Sequence, residues 1–481
     1  MPQHDSKDTM PWRHTKIICT LGPSTDRPGV LEHLVRSGMD LARINTAHGE
    51  ATEHARRIAE VRRIADALES PVGILVDLPG PKFRVGRIPG GSRELRAGQE
   101  IVLGSGAEGG SHIPMDAPAL LKELKAGESV YLADGSIKVL VQSVSSQAIT
   151  CQVIVGGTIR SGSGVNFPEA HLSVELPTEA DLRHISFAMD QRAEWIGVSF
   201  VRTAADITRV RAHLKPGQPP LVMAKIEKRQ ALTHLEAILN ASDGVMVARG
   251  DLGVETDLAE VPLVQKRIVS LANEQGRPVI VATQMLESMV GHPQPTRAEV
   301  TDVANAVLDG TDGVMLSAET AIGEFPQEAV TMLHRTVTAT EHAYPYGSLL
   351  ERLQPGVSAL SDDAMSAVAC RLSFDLHAKA IVAPARDLSA ALRLARFRPK
   401  APILVLTDSR FLWTQLTAIW GVIPLLSPTI SEVEPCLERA KEWLLTRELA
   451  KAGDRMVVLF TSGESRGVSD SLQIIHIRQT R

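Results

Sequence analysis

The feature of this sequence that most constrains its fold is a series of short runs rich in valine, isoleucine and leucine, separated by segments with the apolar spacing of helices. Apolar runs of this length without alternation are typical of parallel strands that are covered on both faces. Eight β/α units of this kind close a TIM barrel, which is the fold that we predict. The eight runs are Lys16–Thr20, Leu41–Asn45, Gly73–Leu78, Trp195–Phe200, Leu221–Glu227, Gly244–Asp251, Pro278–Met285 and Gly313–Thr320.

Two stretches of the chain do not fit the barrel pattern and predict further domains. The stretch between the third and fourth runs is far longer than a βα connection, and it is rich in glycine with short alternating segments. This pattern predicts a small β-barrel domain inserted in a barrel loop, with hinges at Pro89–Gly91 and Asn166–Pro168. After residue 346, apolar runs and helical patterns alternate again, which predicts a doubly wound α/β domain at the C-terminus. The predicted divisions are a tail at 1–12, the barrel at 13–86 and 172–346, the inserted domain at 87–171 and the C-terminal domain at 347–481.

Charge and cysteine content exclude several classes of protein. Lysine plus arginine number 51 against 56 aspartate plus glutamate, without a basic block, which argues against a nucleic-acid partner and against a basic membrane-binding surface. No apolar run approaches the length of a membrane span, and the polar N-terminus lacks the apolar core of a signal peptide. Cys19, Cys151, Cys370 and Cys436 lie far apart without metal-ligand spacing. The expected location is the reducing cytoplasm.

Two acidic residues and a lysine at the ends of adjacent runs form the clearest candidate site. The C-terminal ends of barrel strands meet at one mouth, so Glu227 and Asp251 are expected to lie close together. Paired carboxylates suit Mg²⁺, which completes its shell with water and substrate oxygens. Lys225 lies two residues before Glu227, so both side chains point to the same face of the strand. A cation beside such carboxylates suits phosphoryl or enolate charge, although either acid taken alone is more often a solvated loop residue.

Further polar residues at the same strand ends are candidates for substrate contacts. Gly250 lets a ligand approach the backbone closely, and Thr283 can donate its hydroxyl to a substrate oxygen. The structural alternatives are a glycine that is needed only for a turn and a threonine at the barrel rim whose hydroxyl is hydrogen-bonded within the protein. Four groups suited to phosphate and nucleotide binding cluster after the second and third runs, where an ion-paired arginine or a capping asparagine is the alternative. These groups are Arg43, Asn45, His48 and Arg84.

Long motifs across the barrel resemble those of pyruvate kinases. The motifs are Thr15–Ser24, Ala42–Gly49, Ser199–Arg202, Lys225–Glu227, Ala241–Gly253, Ala282–Met289, Pro295–Glu299 and Asp302–Gly310. The similarity extends over essentially the whole barrel, is looser in the inserted domain and is weak after residue 346. It implies transfer of the phosphoryl group of phosphoenolpyruvate to ADP, a step of glycolysis, with Mg²⁺ or Mn²⁺ as the cofactor.

The resemblance also implies roles for individual residues. Lys225 would neutralise charge on the transferring phosphoryl group, and Glu227 and Asp251 would bind the divalent ion. The inserted domain would close over the nucleotide as a lid, and the protein would be a homotetramer. Thr283 and the backbone at Ala248, Arg249 and Gly250 would surround the carboxylate and methylene carbon of the substrate, while phosphate and nucleotide contacts would come from Arg43, Asn45, His48 and Arg84.

Departures from the family concern the monovalent cation that common pyruvate kinases bind beside the transferring phosphate. Asn45 and Asp77 match two ligand positions, but Ala47 and Leu78 replace two side chains that provide oxygens. Lys82 stands where the family has a glutamate, so its ammonium can supply the charge of K⁺, with Asp77 as the expected partner. We therefore predict that K⁺ is not required, as in the lysine-containing type of the family, with a solvated loop lysine as the alternative.

The C-terminal domain also departs from the family. Ala383–Ser389 replaces the loop rich in serine, threonine and glycine that binds an effector phosphate. Arg386 and Ser389 can hold some phosphorylated effector, but an ordinary βα turn explains them equally well. In the inserted domain, Arg160–Asn166 lacks the lysine that the family often has there.

Two other functions are compatible with an acid pair in a barrel. A Mg²⁺-dependent aldolase or lyase of the phosphoenolpyruvate/pyruvate group also handles enolates, but it needs neither a nucleotide-closing insertion nor Lys225. A non-catalytic, metabolite-sensing barrel has no reason to retain Lys225, Glu227, Asp251 and Thr283 together. The inserted domain and the presence of all four of these residues therefore favour the kinase.

Overall fold

The computed structural model describes residues 12–104, 111–115, 123–145, 147–170, 174–352, 361–430, 432–460 and 471–478. The predicted tail lies outside the described residues apart from Trp12, and so does the predicted end of the inserted domain at 171.

Within these residues, the strands are β1 (Lys16–Thr20), β2 (Met39–Asn45), β3 (Gly73–Asp77), β4 (Phe83–Arg84), β5 (Ser92–Leu95), β6 (Glu100–Gly104), β7 (His112–Pro114), β8 (Ser129–Leu132), β9 (Ile137–Val144), β10 (Ala148–Val155), β11 (Gly157–Arg160), β12 (Gly164–Asn166), β13 (Trp195–Val198), β14 (Leu221–Ile226), β15 (Gly244–Ala248), β16 (Val279–Ala282), β17 (Gly313–Leu316), β18 (Ile381–Pro384), β19 (Ile403–Thr407), β20 (Val422–Leu426), β21 (Arg455–Phe460) and β22 (Ser471–His476).

The helices of the described residues are α1 (Val30–Arg36), α2 (Ala51–Ala67), α3 (Glu179–Asp190), α4 (Ala204–Ala212), α5 (Arg229–Thr233), α6 (Leu235–Ala241), α7 (Arg249–Glu255), α8 (Val261–Glu274), α9 (Arg297–Asp309), α10 (Ala318–Ala321), α11 (Pro326–His342), α12 (Tyr346–Arg352), α13 (Ser361–Asp375), α14 (Ser389–Ala395), α15 (Arg410–Gln415) and α16 (Val433–Thr446). Short 3₁₀ helices span Glu287–Val290 and Leu416–Ala418. None of the described helices is long and apolar enough to cross a membrane.

Eight parallel strands close a barrel, which confirms the predicted fold. Their order is β1-β17-β16-β15-β14-β13-β3-β2, and the apolar outer faces of the strands pack against the surrounding helices. Some strands end earlier than predicted. The run Gly244–Asp251 is a strand only as far as Ala248, where the chain turns into α7, because the polar residues that follow cannot stay between two apolar layers. Asp251 therefore lies in the first turn of a helix at the open end of the barrel.

The inserted stretch forms a β domain with its own core. Seven strands pair in the order β4-β12-β8-β9-β10-β6-β7, and β5 and β11 form a two-stranded sheet. The first of these strands, Phe83–Arg84, lies before residue 87, where we placed the start of the domain. Leu103, Val139 and Phe167 are among the side chains buried in the core of the domain.

The C-terminal domain is a five-stranded sheet covered by helices on both faces. The strand order is β20-β19-β18-β21-β22, with β22 antiparallel to β21 and the other neighbours parallel. Two separate apolar clusters lie on the two faces, one including Ile403 and the other including Leu404. This is the predicted doubly wound arrangement.

The C-terminal domain closes the N-terminal end of the barrel. Ala418 packs among side chains from the barrel interior, including Met246 and Ile280. From the other side of this interface, Lys16 Nζ donates a hydrogen bond of 2.7 Å to the carbonyl oxygen of Val422. The opposite end of the barrel, where the strands end, faces the inserted domain.

Candidate active site

Lys225 lies at the centre of a buried group of charges at the open end of the barrel. Its Nζ atom lies 2.8 Å from Glu227 Oε1 and 3.1 Å from Asp77 Oδ1, and it donates a hydrogen bond of 2.7 Å to Ser199 Oγ. Burial disfavours the charged lysine, but the carboxylates of Asp77 and Glu227 outweigh burial, so the pKa of Lys225 is raised above its usual value. The side chain therefore provides a fixed positive charge.

Asp77 links Lys225 to Arg43. Asp77 ends β3, and its Oδ2 accepts a hydrogen bond of 2.8 Å from Arg43 Nε and lies 2.6 Å from Arg43 Nη2. A Cβ atom at Gly197, on the intervening strand β13, would lie 3.2 Å from Asp77 Oδ1. The missing side chain thus leaves space for the contact between Asp77 and Lys225. Burial opposes ionisation of Asp77, but the charges of Lys225 and Arg43 hold its pKa below the usual value.

Glu227 is held by a strained turn. Its Oε2 accepts a hydrogen bond of 3.0 Å from the backbone N–H of Phe200, a residue with φ of 62°. A left-handed backbone is disfavoured for a bulky side chain, so the surroundings must impose it. Burial raises the pKa of Glu227; the charge of Lys225 opposes this shift, and the charge of Asp251 adds to it.

A cleft lies between the barrel and the inserted domain and contains the second acid of the pair. Residues from both domains and from the connection between them line it. They are Lys82, Phe83, Arg84, Asp134, Gly164, Val165, Asn166, Phe200 and Asp251. Polar and charged groups predominate, as expected for a site that binds a charged ligand.

Lys82 lies in this cleft and not beside Asp77, so the expected pairing of these two residues is wrong. Asp77 is buried against Arg43 and Lys225, whereas Lys82 is exposed, and among the described residues it forms no ion pair. Asp77 ends a strand inside the barrel, and the chain leaves the barrel before it reaches Lys82. The charge of Lys82 nevertheless acts on Glu227, where it makes a minor contribution that lowers the pKa.

Thr283 and Gly250 are hydrogen-bonded to each other at the rim of the barrel. The Gly250 N–H donates to Thr283 Oγ1 at 2.8 Å, and the Thr283 hydroxyl donates to the Ala282 carbonyl oxygen at 2.6 Å. Thr283 follows β16 with φ of 68°, a second strained position. Arg249 donates to the Thr283 carbonyl oxygen at 2.8 Å and pairs with Asp302 at 2.6 Å. The Arg249 side chain therefore fixes the start of α7 to the turn after β16.

The remaining predicted contacts lie further out. Asn45 ends β2 and is half-buried, and His48 is exposed. Partial burial lowers the pKa of His48, and the charges of Arg84, Lys82 and Arg43 act in the same direction. Arg84, Lys82 and Arg43 are therefore close enough to His48 for their charges to act on it at the mouth of the barrel.

The residues present fit a divalent ion. Glu227 Oε1 is buried and, despite its closeness to Lys225 Nζ, receives no hydrogen bond with suitable angles. The described residues contain no group of three or more His, Cys, Asp or Glu side chains arranged around a metal position. A pair of carboxylates close enough for the charge of Asp251 to act on Glu227 suits Mg²⁺, which keeps waters and takes substrate oxygens.

Sequence reasoning assigned no role to several groups of the site. Ser199 receives a hydrogen bond from Lys225, Phe200 binds Glu227 through its backbone, and Asp134 lines the cleft from the inserted domain. Ser199 and Phe200 belong to a motif that resembles the family, but nothing in their residue types indicates their contacts.

Comparison with known proteins gives one family for both large parts of the chain. The model for "Pyruvate kinase, barrel domain" matches residues 12–330, and the model for "Pyruvate kinase, alpha/beta domain" matches residues 363–477. The chain belongs to the pyruvate kinase family. This result confirms the family predicted from the barrel motifs.

Individual relatives match over nearly the whole length. A pyruvate kinase of Methylorubrum extorquens is 40% identical over 467 residues, which cover 97% of each chain. A pyruvate kinase of Mycobacterium tuberculosis is 37% identical and covers 97% of this chain and 98% of that protein. The crystal structure of a pyruvate kinase from Cryptosporidium parvum superposes with a TM-score of 0.91 at 32% identity, over 97% of this chain and 96% of that chain.

Proposed function

We propose that this chain transfers the phosphoryl group of phosphoenolpyruvate to ADP and releases pyruvate and ATP. The observation that carries the proposal is the buried ammonium of Lys225, held between Asp77 and Glu227 at the open end of a barrel of this family. A fixed cation in a site shielded from water stabilises charge that develops on a phosphoryl group.

In this reaction the bond between phosphorus and the enol oxygen breaks, and a terminal oxygen of ADP forms the new bond to phosphorus. The enolate that is left gains a proton at its methylene carbon. Lys225 neutralises charge on the transferring group. Arg43, whose guanidinium is oriented by Asp77 and Thr20, adds positive charge to the phosphate region, together with Lys82 from the cleft.

The carboxylate end of the substrate belongs near Thr283 and the chain at Ala248, Arg249 and Gly250. The Gly250 N–H is bonded to Thr283 Oγ1, so a bound carboxylate would compete for these groups. Glu227 and Asp251 would hold Mg²⁺ or Mn²⁺, which when bound supplies charge neutralisation for the phosphoryl oxygens.

The inserted domain is proposed to act as the lid over ADP. The cleft brings Asp134 and Asn166 of that domain opposite Asp251, and Arg84 on β4 also lines it. Asn45, His48 and Arg84 are proposed to contact phosphate or nucleotide groups. Closure would exclude water from the transfer step.

Assembly, regulation and location are further parts of the proposal. The family resemblance implies a homotetramer and a phosphorylated effector in the C-terminal domain, and Arg386 and Ser389 are the candidate contacts for it. Ser389 N–H donates to Asp387 Oδ1 at 2.8 Å, a contact that an ordinary turn also makes. The four buried, unpaired cysteines are consistent with the reducing cytoplasm.

A coupled assay for pyruvate from phosphoenolpyruvate, ADP and Mg²⁺ tests the proposed activity. Glu227→Gln and Asp251→Asn are each expected to lower turnover by about 100-fold or more while the protein stays folded, because each removes charge from the divalent site. Asp243→Asn is the matched control, since Asp243 pairs with Arg211 at the other end of the strands. Near-normal activity of Asp251→Asn would disprove the metal assignment.

A further inference from the structure

Lys228 follows Glu227 directly and forms a buried ion pair beside the proposed metal site. Its Nζ lies 2.6 Å from Glu255 Oε1, and the two side chains are only 12% and 2% exposed. Buried charges destabilise the folded state unless they are paired. The ion pair therefore fixes the positions of the two elements that carry it. The elements are the turn after β14 and the end of helix α7.

Glu255 connects this ion pair to the other proposed metal carboxylate. It lies four residues after Asp251 on α7, so the two side chains project from the same side of the helix, one turn apart. Glu227 precedes Lys228 by one residue. The contact between Lys228 and Glu255 therefore joins the two short segments that carry Glu227 and Asp251.

A second contact of Lys228 reaches the turn that holds Glu227. Lys228 Nζ lies 4.9 Å from the centroid of the Phe200 ring, a distance at which a cation is attracted to an aromatic face. The backbone N–H of Phe200, in its left-handed conformation, donates to Glu227 Oε2. One ammonium group thus contacts the ring of Phe200, whose backbone binds Glu227, and the carboxylate of Glu255, which lies one turn from Asp251 on α7.

We propose that Lys228 is a positioning residue that sets the spacing and orientation of Glu227 and Asp251 for the divalent ion. The inference rests on the proposed function, because it takes these two carboxylates as the metal ligands. Lys228 does not need to contact substrate for this role. Residues that orient metal ligands without touching the metal typically change metal affinity by about 10- to 100-fold when they are replaced.

Mn²⁺ binding to the full-length protein without substrates tests this role, with free Mn²⁺ measured by electron paramagnetic resonance. Lys228→Met is expected to raise the Mn²⁺ dissociation constant by about tenfold or more, and Lys228→Arg, which can keep both contacts, is expected to change it by less than about threefold. Lys441→Met is the matched control. Lys441 pairs with Glu438 on α16, and its side chain is 14% exposed.

Lys228→Met leaves Glu255 buried without a counter-charge and can therefore lose stability for that reason alone. The double variant Lys228→Met/Glu255→Gln removes both charges, so it separates the two effects. If this variant is folded by circular dichroism and binds Mn²⁺ as weakly as the single variant, the positioning role is supported. If it is folded and binds Mn²⁺ like the wild type, the role is overturned.

The same Mn²⁺ titration tests the proposed metal site separately from the positioning role of Lys228, and the metal site itself can be disproved. In that case, Glu227→Gln and Asp251→Asn would leave Mn²⁺ affinity unchanged in the same titration. A loss of affinity in these two variants together with wild-type affinity in Lys228→Met would instead keep the metal site and reject Lys228.

Discussion

The two ends of the barrel both contain buried acids, but among the described residues only the acids at the open end have carboxylate oxygens without a well-aligned hydrogen bond. At the closed end, both oxygens of Asp312 accept hydrogen bonds of 2.9 Å from Arg398, and they also accept bonds from the backbone N–H groups of Trp420 and Val279. At the open end, Glu227 Oε1 and Asp77 Oδ1 lie close to Lys225 but receive no well-aligned hydrogen bond.

This difference distinguishes the buried acids at the two ends of a single barrel. The backbone shows no such contrast, because Phe200 and Thr283 at the open end and Arg398 at the closed end all have positive φ angles. Buried carboxylate oxygens without hydrogen bonds destabilise the folded state, so their presence at the open end favours a binding role there. The charges at the closed end hold two domains together.

The largest expected effect comes from Lys225→Met at the open end. Its charge is needed most when negative charge develops on the phosphoryl group, so we expect turnover to fall by about a thousandfold while phosphoenolpyruvate affinity changes far less. Single-turnover kinetics with the folded variant, together with a binding titration, separates the two quantities. A variant in which only KM rises would contradict this role.

The next effect is at the closed end and should be seen in stability, not in catalysis. Arg398→Met leaves Asp312 buried without its counter-charge, which we expect to cost about 3 to 5 kcal/mol of folding free energy. Thermal unfolding and denaturant titration measure this loss, and turnover per folded molecule should stay near the wild-type value.

A matched double variant checks the interpretation. Arg398→Met/Asp312→Asn removes both charges and should recover part of the lost stability. If Arg398→Met instead lowered turnover without changing the unfolding temperature, the closed end would have a catalytic role and the distinction between the two ends would fail.

The strand pattern of the sequence was sufficient to predict the barrel and the C-terminal sheet. Short, unbroken apolar runs fit few structures other than parallel strands that are buried on both faces of a sheet. Strand ends were less certain, as the early end of β15 at Ala248 shows, since polar residues after a run can begin a helix or continue a strand.

Residue identities at the site were easier to predict than their contacts. Lys225 and Glu227 share a strand face because of the two-residue period, so their proximity follows from the sequence. The contact between Lys225 and Asp77 does not, because it joins strands that are not neighbours and depends on the small size of Gly197 between them. For the same reason the sequence does not show that Asp77 pairs with Lys225 and not with Lys82, the partner that it predicts.

A smaller effect is expected from the pH dependence of Glu194 at the closed end. Its oxygens accept hydrogen bonds from Thr414 Oγ1 at 2.7 Å and from the Ile74 N–H at 2.6 Å, and burial raises its pKa above the ordinary value of 4.5. The folded protein therefore binds this proton more tightly than the unfolded chain. The resulting stabilisation is complete below the ordinary pKa and is lost as pH rises through the raised pKa.

Glu194→Gln removes this titration. We expect the free energy of unfolding of the variant to increase relative to that of the wild type as pH rises from about 4 to about 8, by about 1.4 kcal/mol for each unit by which the pKa of Glu194 is raised. The unfolding temperature should rise in the same direction. Turnover should not follow the same curve, since Glu194 is far from the open end. Parallel stability profiles of the two proteins would show that Glu194 has an ordinary pKa.

The smallest expected effect is the response to K⁺, for which we predict no requirement. At the closed end, Lys16 donates a hydrogen bond to a carbonyl oxygen and Arg398 donates to an acid. Lys82 instead lines the open cleft and has no ion-pair partner among the described residues. A lysine in this state can supply a positive charge to a bound phosphate. Full activity is therefore expected in tetramethylammonium buffer, with less than about a tenfold rise when KCl is added at constant ionic strength.

The triple variant Lys82→Glu/Leu78→Thr/Ala47→Ser restores the residue types of the common family members and should make activity depend on K⁺. A triple variant that remained active and indifferent to K⁺ would show that Lys82 does not take the place of the ion.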